Sequence, residues 1–152
     1  MTLTIPVSLT TFRAIANLIA IAVAKAVTQR QKILVFGGAY HSSVLAFPTT
    51  ESQSPLNVPH EFIIGPYNDI QYVQSLQQDP MITSDLAAVL VEQMQGAGGC
   101  HAASPEFLQA LRKLTNSSKA ILTSRLHPRR LSTISRYKPG YDDFRKVLSW
   151  WV

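Results

Sequence analysis

Residues 33–41 read Ile-Leu-Val-Phe-Gly-Gly-Ala-Tyr-His, four apolar residues stopped by a glycine pair. A short apolar run ended abruptly by glycine reads as a strand buried on both faces. The same device recurs along the chain. Glu61-Phe62-Ile63-Ile64 precedes Gly65-Pro66, and Asp85-Leu86-Ala87-Ala88-Val89-Leu90-Val91-Glu92 leads into Gly96-Ala97-Gly98-Gly99. Helical signals stand around these runs. Thr10 to Gln29 is alanine-rich, apolar around the turn and free of Gly and Pro, which predicts one helix. Asp69 caps a second helix running to about Gln78. Ser104-Pro105-Glu106 opens a third with a cap, a first-position proline and an acid at the positive dipole end. Phe107, Leu108, Leu111 and Leu114 then share its face. Lys119 to Leu122 begins a fourth strand that stops after three apolar residues. Strand and helix alternate, which predicts an α/β fold with a mostly parallel sheet and crossover helices. Residues 42–59, with Pro48, Pro55 and Pro59, read as a long loop. There is no internal repeat, and the final thirty residues lack periodicity and offer Trp150 and Trp151 no visible partner.

Composition narrows the function classes. The chain has 152 residues, 46% apolar and 15% charged, enough for one domain with a real core. Its single cysteine, Cys100, excludes an internal disulfide framework and a thiolate zinc site, and fits a reducing, cytoplasmic compartment. No metal site is expected. The net charge of +5 is uneven: residues 1–111 hold four Lys/Arg against seven Asp/Glu, and residues 112–152 hold ten against two. Those ten are scattered with no aromatic stacking pattern between them, which argues against nucleic acid. Ala14 to Ala24 imitates a signal peptide, but Asn17 interrupts it, and the run is too short to span a bilayer. A buried amphipathic helix is the better reading, with no membrane partner.

Two clusters stand where chemistry sits in α/β folds, just after strands. The first is Phe36-Gly37-Gly38-Ala39-Tyr40-His41. Its glycines allow close backbone approach, and an aromatic beside an imidazole can flank a flat cofactor. Taken alone, it is equally a tight turn with a surface Tyr and His. The second runs from Val91-Glu92 to Cys100. Glu92 ends a strand there and is either a site acid or a solvated one.

In this order and spacing the stretches ILVFGGAYHS, NVPHEFIIGPYND, DLAAVLVEQMQGAGGC and SPEFLQALRKLT resemble class III aminotransferases, closest to the glutamate-1-semialdehyde aminomutase-like group. The resemblance runs from about Ala16 to Lys146. It implies the large domain of a fold type I pyridoxal-phosphate (PLP) transferase homodimer. The implied chemistry is amino-group transfer through a lysine Schiff base with PLP, with a small-molecule amino donor and acceptor. By position, Tyr40 matches the tyrosine that covers the cofactor ring, His41 the histidine beside it, and Gly38 the glycine before them. Asn17 matches the end of the phosphate-cup motif, Glu92 the active-site glutamate and Lys146 the Schiff-base lysine.

The chain departs from the pattern at several points. Thr11-Phe12-Arg13-Ala14-Ile15 replaces the small residues of the phosphate cup. Ser42 stands for a glycine, Gln93 for a proline, and Arg129-Arg130 for a glycine pair. The largest gap lies between Leu122 and Thr123, where the family carries an apolar pair and Asp-Glu-Val. That aspartate pairs with the pyridinium nitrogen. Its absence predicts loss of the strand that carries it and a marginal fold. The division expected is 1–122 as a partial PLP-binding domain and 123–152 as a diverged, poorly packed remnant of an incomplete large domain. Activity is then expected to be weak or lost. Lys146 is either the Schiff-base lysine or a surface lysine near the chain end. The alternative function is a non-catalytic remnant that pairs with an intact aminotransferase subunit.

Overall fold

The computed structural model describes residues 13–125 and 148–150. The elements in order are α1 (Arg13–Thr28), β1 (Lys32–Phe36), β2 (Ala39–Ser42), β3 (Leu45–Phe47), β4 (Glu61–Gly65), α2 (Ile70–Gln78) and α3 (Pro80–Thr83). They continue with β5 (Leu86–Glu92), β6 (Met94–Gln95), β7 (His101–Ala102), α4 (Pro105–Ser118), β8 (Ile121–Arg125) and β9 (Leu148–Trp150).

Five strands form one sheet in the order β4-β1-β5-β8-β9, and every neighbouring pair is parallel. Because side chains alternate across a strand, each strand feeds two cores. On one face Ile33, Val35, Ala88 and Leu90 pack with Ile21 and Ala24 of α1 and with Ala39, Leu45 and Phe47 of the β2–β3 pair. On the other, Leu34, Phe36, Val89, Val91 and Leu122 pack with Val73 and Leu76 of α2 and with Phe107, Leu111 and Leu114 of α4. Both faces are covered, as a parallel sheet requires. All seven residues of β5 are buried, so it forms the sheet's centre.

The helix ends follow the sequence signals. The Asp69 side chain accepts from Tyr72 N at 2.9 Å and starts α2. Ser104 Oγ accepts from Phe107 N at 3.1 Å, with Pro105 in the first turn of α4. Lys119 closes α4 in the left-handed conformation, φ 59°.

Three expectations are corrected. Residues 42–59 are not loop throughout: β3 lies in them and pairs antiparallel with β2, bending the chain back over Gly37-Gly38. The strand after α4 is not lost. β8 continues through Thr123-Ser124-Arg125, held in parallel register with Leu90-Val91-Glu92. Its polar residues are tolerated because main-chain pairing with β5, not side-chain hydrophobicity, sets the strand there. Leu148-Ser149-Trp150 pairs with Thr123-Ser124-Arg125 as a fifth strand, which the aperiodic tail did not announce. The division expected after Leu122 therefore falls inside β8. Lys146, Thr11, Phe12, Arg129 and Arg130 lie outside the described residues.

Candidate active site

In a doubly wound sheet the ligand crevice opens where successive connections leave in opposite directions, beyond the C-terminal ends of the strands. Here the chain leaves β1 for β4 on one side and returns to β5 on the other. The crevice therefore opens between Gly37-Gly38, which follow β1, and Glu92, which ends β5.

The two ends are joined directly. Glu92 Oε2 accepts from Tyr40 N at 3.3 Å, and the Glu92 side chain belongs to a residue only 4% exposed. Its main-chain carbonyl accepts from the Tyr67 hydroxyl at 2.7 Å. Burial first, and the Glu92 charge second, push the Tyr67 phenol far above its ordinary range, so it remains a donor. The Tyr67 ring packs edge-on against Phe36 and Phe107, with centroids at 6.2 and 5.4 Å. This wedge fixes the end of β5 from the α4 face.

Tyr40 and His41 are neighbours in sequence and face opposite ways, as strand alternation requires. Tyr40 is 47% exposed, with its amide on Glu92. His41 is 1% exposed, its ring edge-on to Phe47 at 6.5 Å, inside the α1-side core. Asn17, on α1 and buried, donates from Nδ2 to the His41 carbonyl at 2.9 Å. Asn17 thus fixes the backbone under Tyr40. Gly38 has φ +83°, a conformation that side chains rarely adopt, and its N–H donates to Phe47 O at 2.7 Å. The structure brings Gly38, Tyr40 and Glu92 together at the mouth and sets Asn17 and His41 behind them.

Sequence reasoning passed over two residues here. Tyr67 lay inside a quoted motif without a role, and Gln95 was not singled out. The Gln95 Nε2 donates to the Gly37 carbonyl at 2.8 Å from a buried position. A long amide immediately before a glycine-rich loop was the available signal.

Residues 10–124 match the family described as Aminotransferase class-III. The chain belongs to the class III aminotransferases. A β-phenylalanine transaminase of Variovorax paradoxus is 44% identical over 123 residues, a match that takes 77% of this chain and 27% of the relative. A crystal structure of a β-phenylalanine aminotransferase from that organism superposes with a TM-score of 0.70 at 42% identity, covering 76% of this chain and 26% of that one. A glutamate-1-semialdehyde 2,1-aminomutase of Dichelobacter nodosus is 35% identical over 122 residues, 70% of this chain and 28% of the relative. A transaminase solved with PLP bound superposes with a TM-score of 0.62 at 26% identity, over 76% of this chain and 30% of that one. This class III chain spans about a quarter to a third of the length of these relatives.

The described residues suit the ring of a flat cofactor such as PLP. Tyr40 is half-exposed just past the β1 end, and the Glu92 carboxylate is bound to its backbone. The β8 strand beside Glu92 ends Thr123-Ser124-Arg125, without a carboxylate. No described helix is long and apolar enough to cross a membrane.

Proposed function

We propose that this chain forms part of a PLP-dependent aminotransferase or aminomutase site and acts on a small amino compound. The observation that carries the proposal is the half-exposed Tyr40 with its amide bound to the buried Glu92, at the switch point of a class III aminotransferase chain. When bound, PLP supplies an electron sink for amino-group transfer.

This chain's residues would serve it in distinct ways. The Tyr40 ring stacks on the pyridine ring, an arrangement that aromatic pairs favour. Gly38 lets the backbone approach closely, and Glu92 holds the Tyr40 amide in place. Asn17 and His41 support the strand from behind. Lys146 is the amine proposed to carry the cofactor. With no acid on β8 to pair with the ring nitrogen, turnover is expected to be weak. The 44% identity to a β-phenylalanine transaminase favours a β-amino acid as amino donor. A cytoplasmic location, consistent with the lone Cys100, belongs to the same proposal.

The test is borohydride reduction after incubation with PLP, followed by peptide mapping. A phosphopyridoxyl group on Lys146 alone is expected. Scattered labelling, or none, would refute the site.

A second reading has its own support. The outward side of α1 carries exposed apolar residues, with Ile15 47% and Ile19 37% exposed. Such a stripe favours pairing with a second copy or a related aminotransferase subunit. Co-elution with an intact relative tests it.

A further inference from the structure

We propose that Gln95 is the positioning residue that holds the Gly37-Gly38 turn, and through it Tyr40, against Glu92. The inference rests on the cofactor reading for its functional consequence, but not for its structural part.

Gln95 lies on β6, in the short hairpin that follows β5, and is 3% exposed. Its amide donates from Nε2 to the Gly37 carbonyl at 2.8 Å. The other half of the amide is wedged between two glycines. A Cβ on Gly38 would lie 2.8 Å from Gln95 Oε1, and a Cβ on Gly98 would lie at the same 2.8 Å. That Gly98 Cβ would also stand 2.7 Å from the Gly38 carbonyl oxygen. The loops after β1 and β5 thus meet with the Gln95 side chain between them, and both need glycine for it to fit.

The turn is also held by main-chain bonds from Gly37 N to Gly65 O at 2.9 Å and from Gly38 N to Phe47 O at 2.7 Å. Neither reaches β5. Among the described residues, two side chains tie this segment to the end of β5: Glu92 at the Tyr40 amide and Gln95 at the Gly37 carbonyl. Two residues past Gly38, Tyr40 N donates to Glu92 Oε2. A turn freed from Gln95 would carry Tyr40 away from that carboxylate and from any ring stacked on it.

The experiment compares Gln95→Met, which keeps length and loses the donor, with Gln95→Glu. A neutral carboxyl can donate to the Gly37 carbonyl and an ionised one cannot. Hydrogen exchange on the full chain reads the Tyr40 amide, and PLP titration reads the site. In Gln95→Met, Tyr40 protection should fall about tenfold, in line with the loss of one buried hydrogen bond, while Val89 and Leu90 keep theirs. In Gln95→Glu, protection should return as the pH drops and the introduced carboxyl becomes neutral. PLP affinity should weaken in parallel, about tenfold.

Unchanged Tyr40 protection in Gln95→Met overturns the proposal. If that variant loses protection everywhere, Gln95→Glu decides: recovery of Tyr40 at low pH supports the proposal, and its absence refutes it. Lost protection with unchanged PLP affinity overturns the positioning role. Failure of the unmodified chain to bind PLP, with Tyr40 loosened as expected, removes the cofactor reading and leaves the Gln95 tie established.

Discussion

Tyr67 links a buried aromatic wedge to the strand end that carries Glu92, and its phenol makes that link sensitive to pH. Burial, then Glu92, raise its proton affinity in the folded chain above the ordinary value of 10.0. A raised folded value means that the stabilising contribution is complete below pH 10 and is lost as the pH climbs through the folded value. Tyr72, raised by burial, adds to the same trend. Chemical denaturation of the wild type should therefore show stability falling above about pH 10. Tyr67→Phe should flatten that decline and cost about 1 kcal/mol at neutral pH, for the lost bond to the Glu92 carbonyl. Equal alkaline slopes in the two proteins would argue against it. At the crevice, Tyr40→Ala should weaken PLP binding about tenfold, and Tyr40→Phe by less than about threefold, because stacking needs the ring and not the hydroxyl. Titration by PLP absorbance checks this; equal affinities for the two variants would deny Tyr40 the stacking role. Tyr40 and Glu92 were legible because each follows an apolar run where ligands gather. The division of labour between Tyr40 and His41 was not, since it depends on which face of β2 meets α1. Gln95 and Tyr67 were hidden for a related reason: each acts on backbone atoms dozens of positions away.

The start of α4 was written plainly in the sequence, its left-handed end at Lys119 was not, and the two offer opposite tests. Ser104→Ala removes the cap on Phe107 N and should cost about 1 kcal/mol. Lys119→Gly relieves a left-handed residue and should gain up to about 1 kcal/mol. Thermal unfolding reads both, and a stabilised Ser104→Ala would mean that the cap contributes nothing. The β8 strand shows where pattern fails. Thr123-Ser124-Arg125 has no strand-like hydrophobic signal, yet Thr123 and Ser124 are buried because the neighbouring β5 imposes parallel register on them. Ser124 Oγ has no hydrogen-bond partner among the described residues. An unsatisfied buried hydroxyl is costly, so Ser124→Ala should raise stability by about 1 kcal/mol. A loss of stability instead would reveal that the hydroxyl has a function in the packed state. The β2–β3 pair was missed for another reason: its short strands were masked by the prolines and polar residues that follow, and by the glycine turn before it.

Across the molecule, a core lies on each face of the sheet, and among the described residues α1 is covered on one side only. Ala16, Ala20, Ile21 and Ala24 are buried, while Ile15 and Ile19 stand out into solvent on the opposite side. A helix that serves only as a surface layer carries polar residues on its outer face. An apolar outer face gains stability when a partner covers it, and a partner that binds only the folded chain raises the melting temperature with concentration. The melting temperature should therefore rise as the chain is concentrated, with an earlier elution volume in size-exclusion chromatography. Ile15→Ser combined with Ile19→Ser should abolish both effects and leave the dilute-solution melting temperature nearly unchanged, because neither side chain enters the described cores. A concentration-independent melting temperature and monomeric elution in the unmodified chain would rule out self-pairing through α1. Co-elution with an intact class III relative would then become the deciding assay for the stripe.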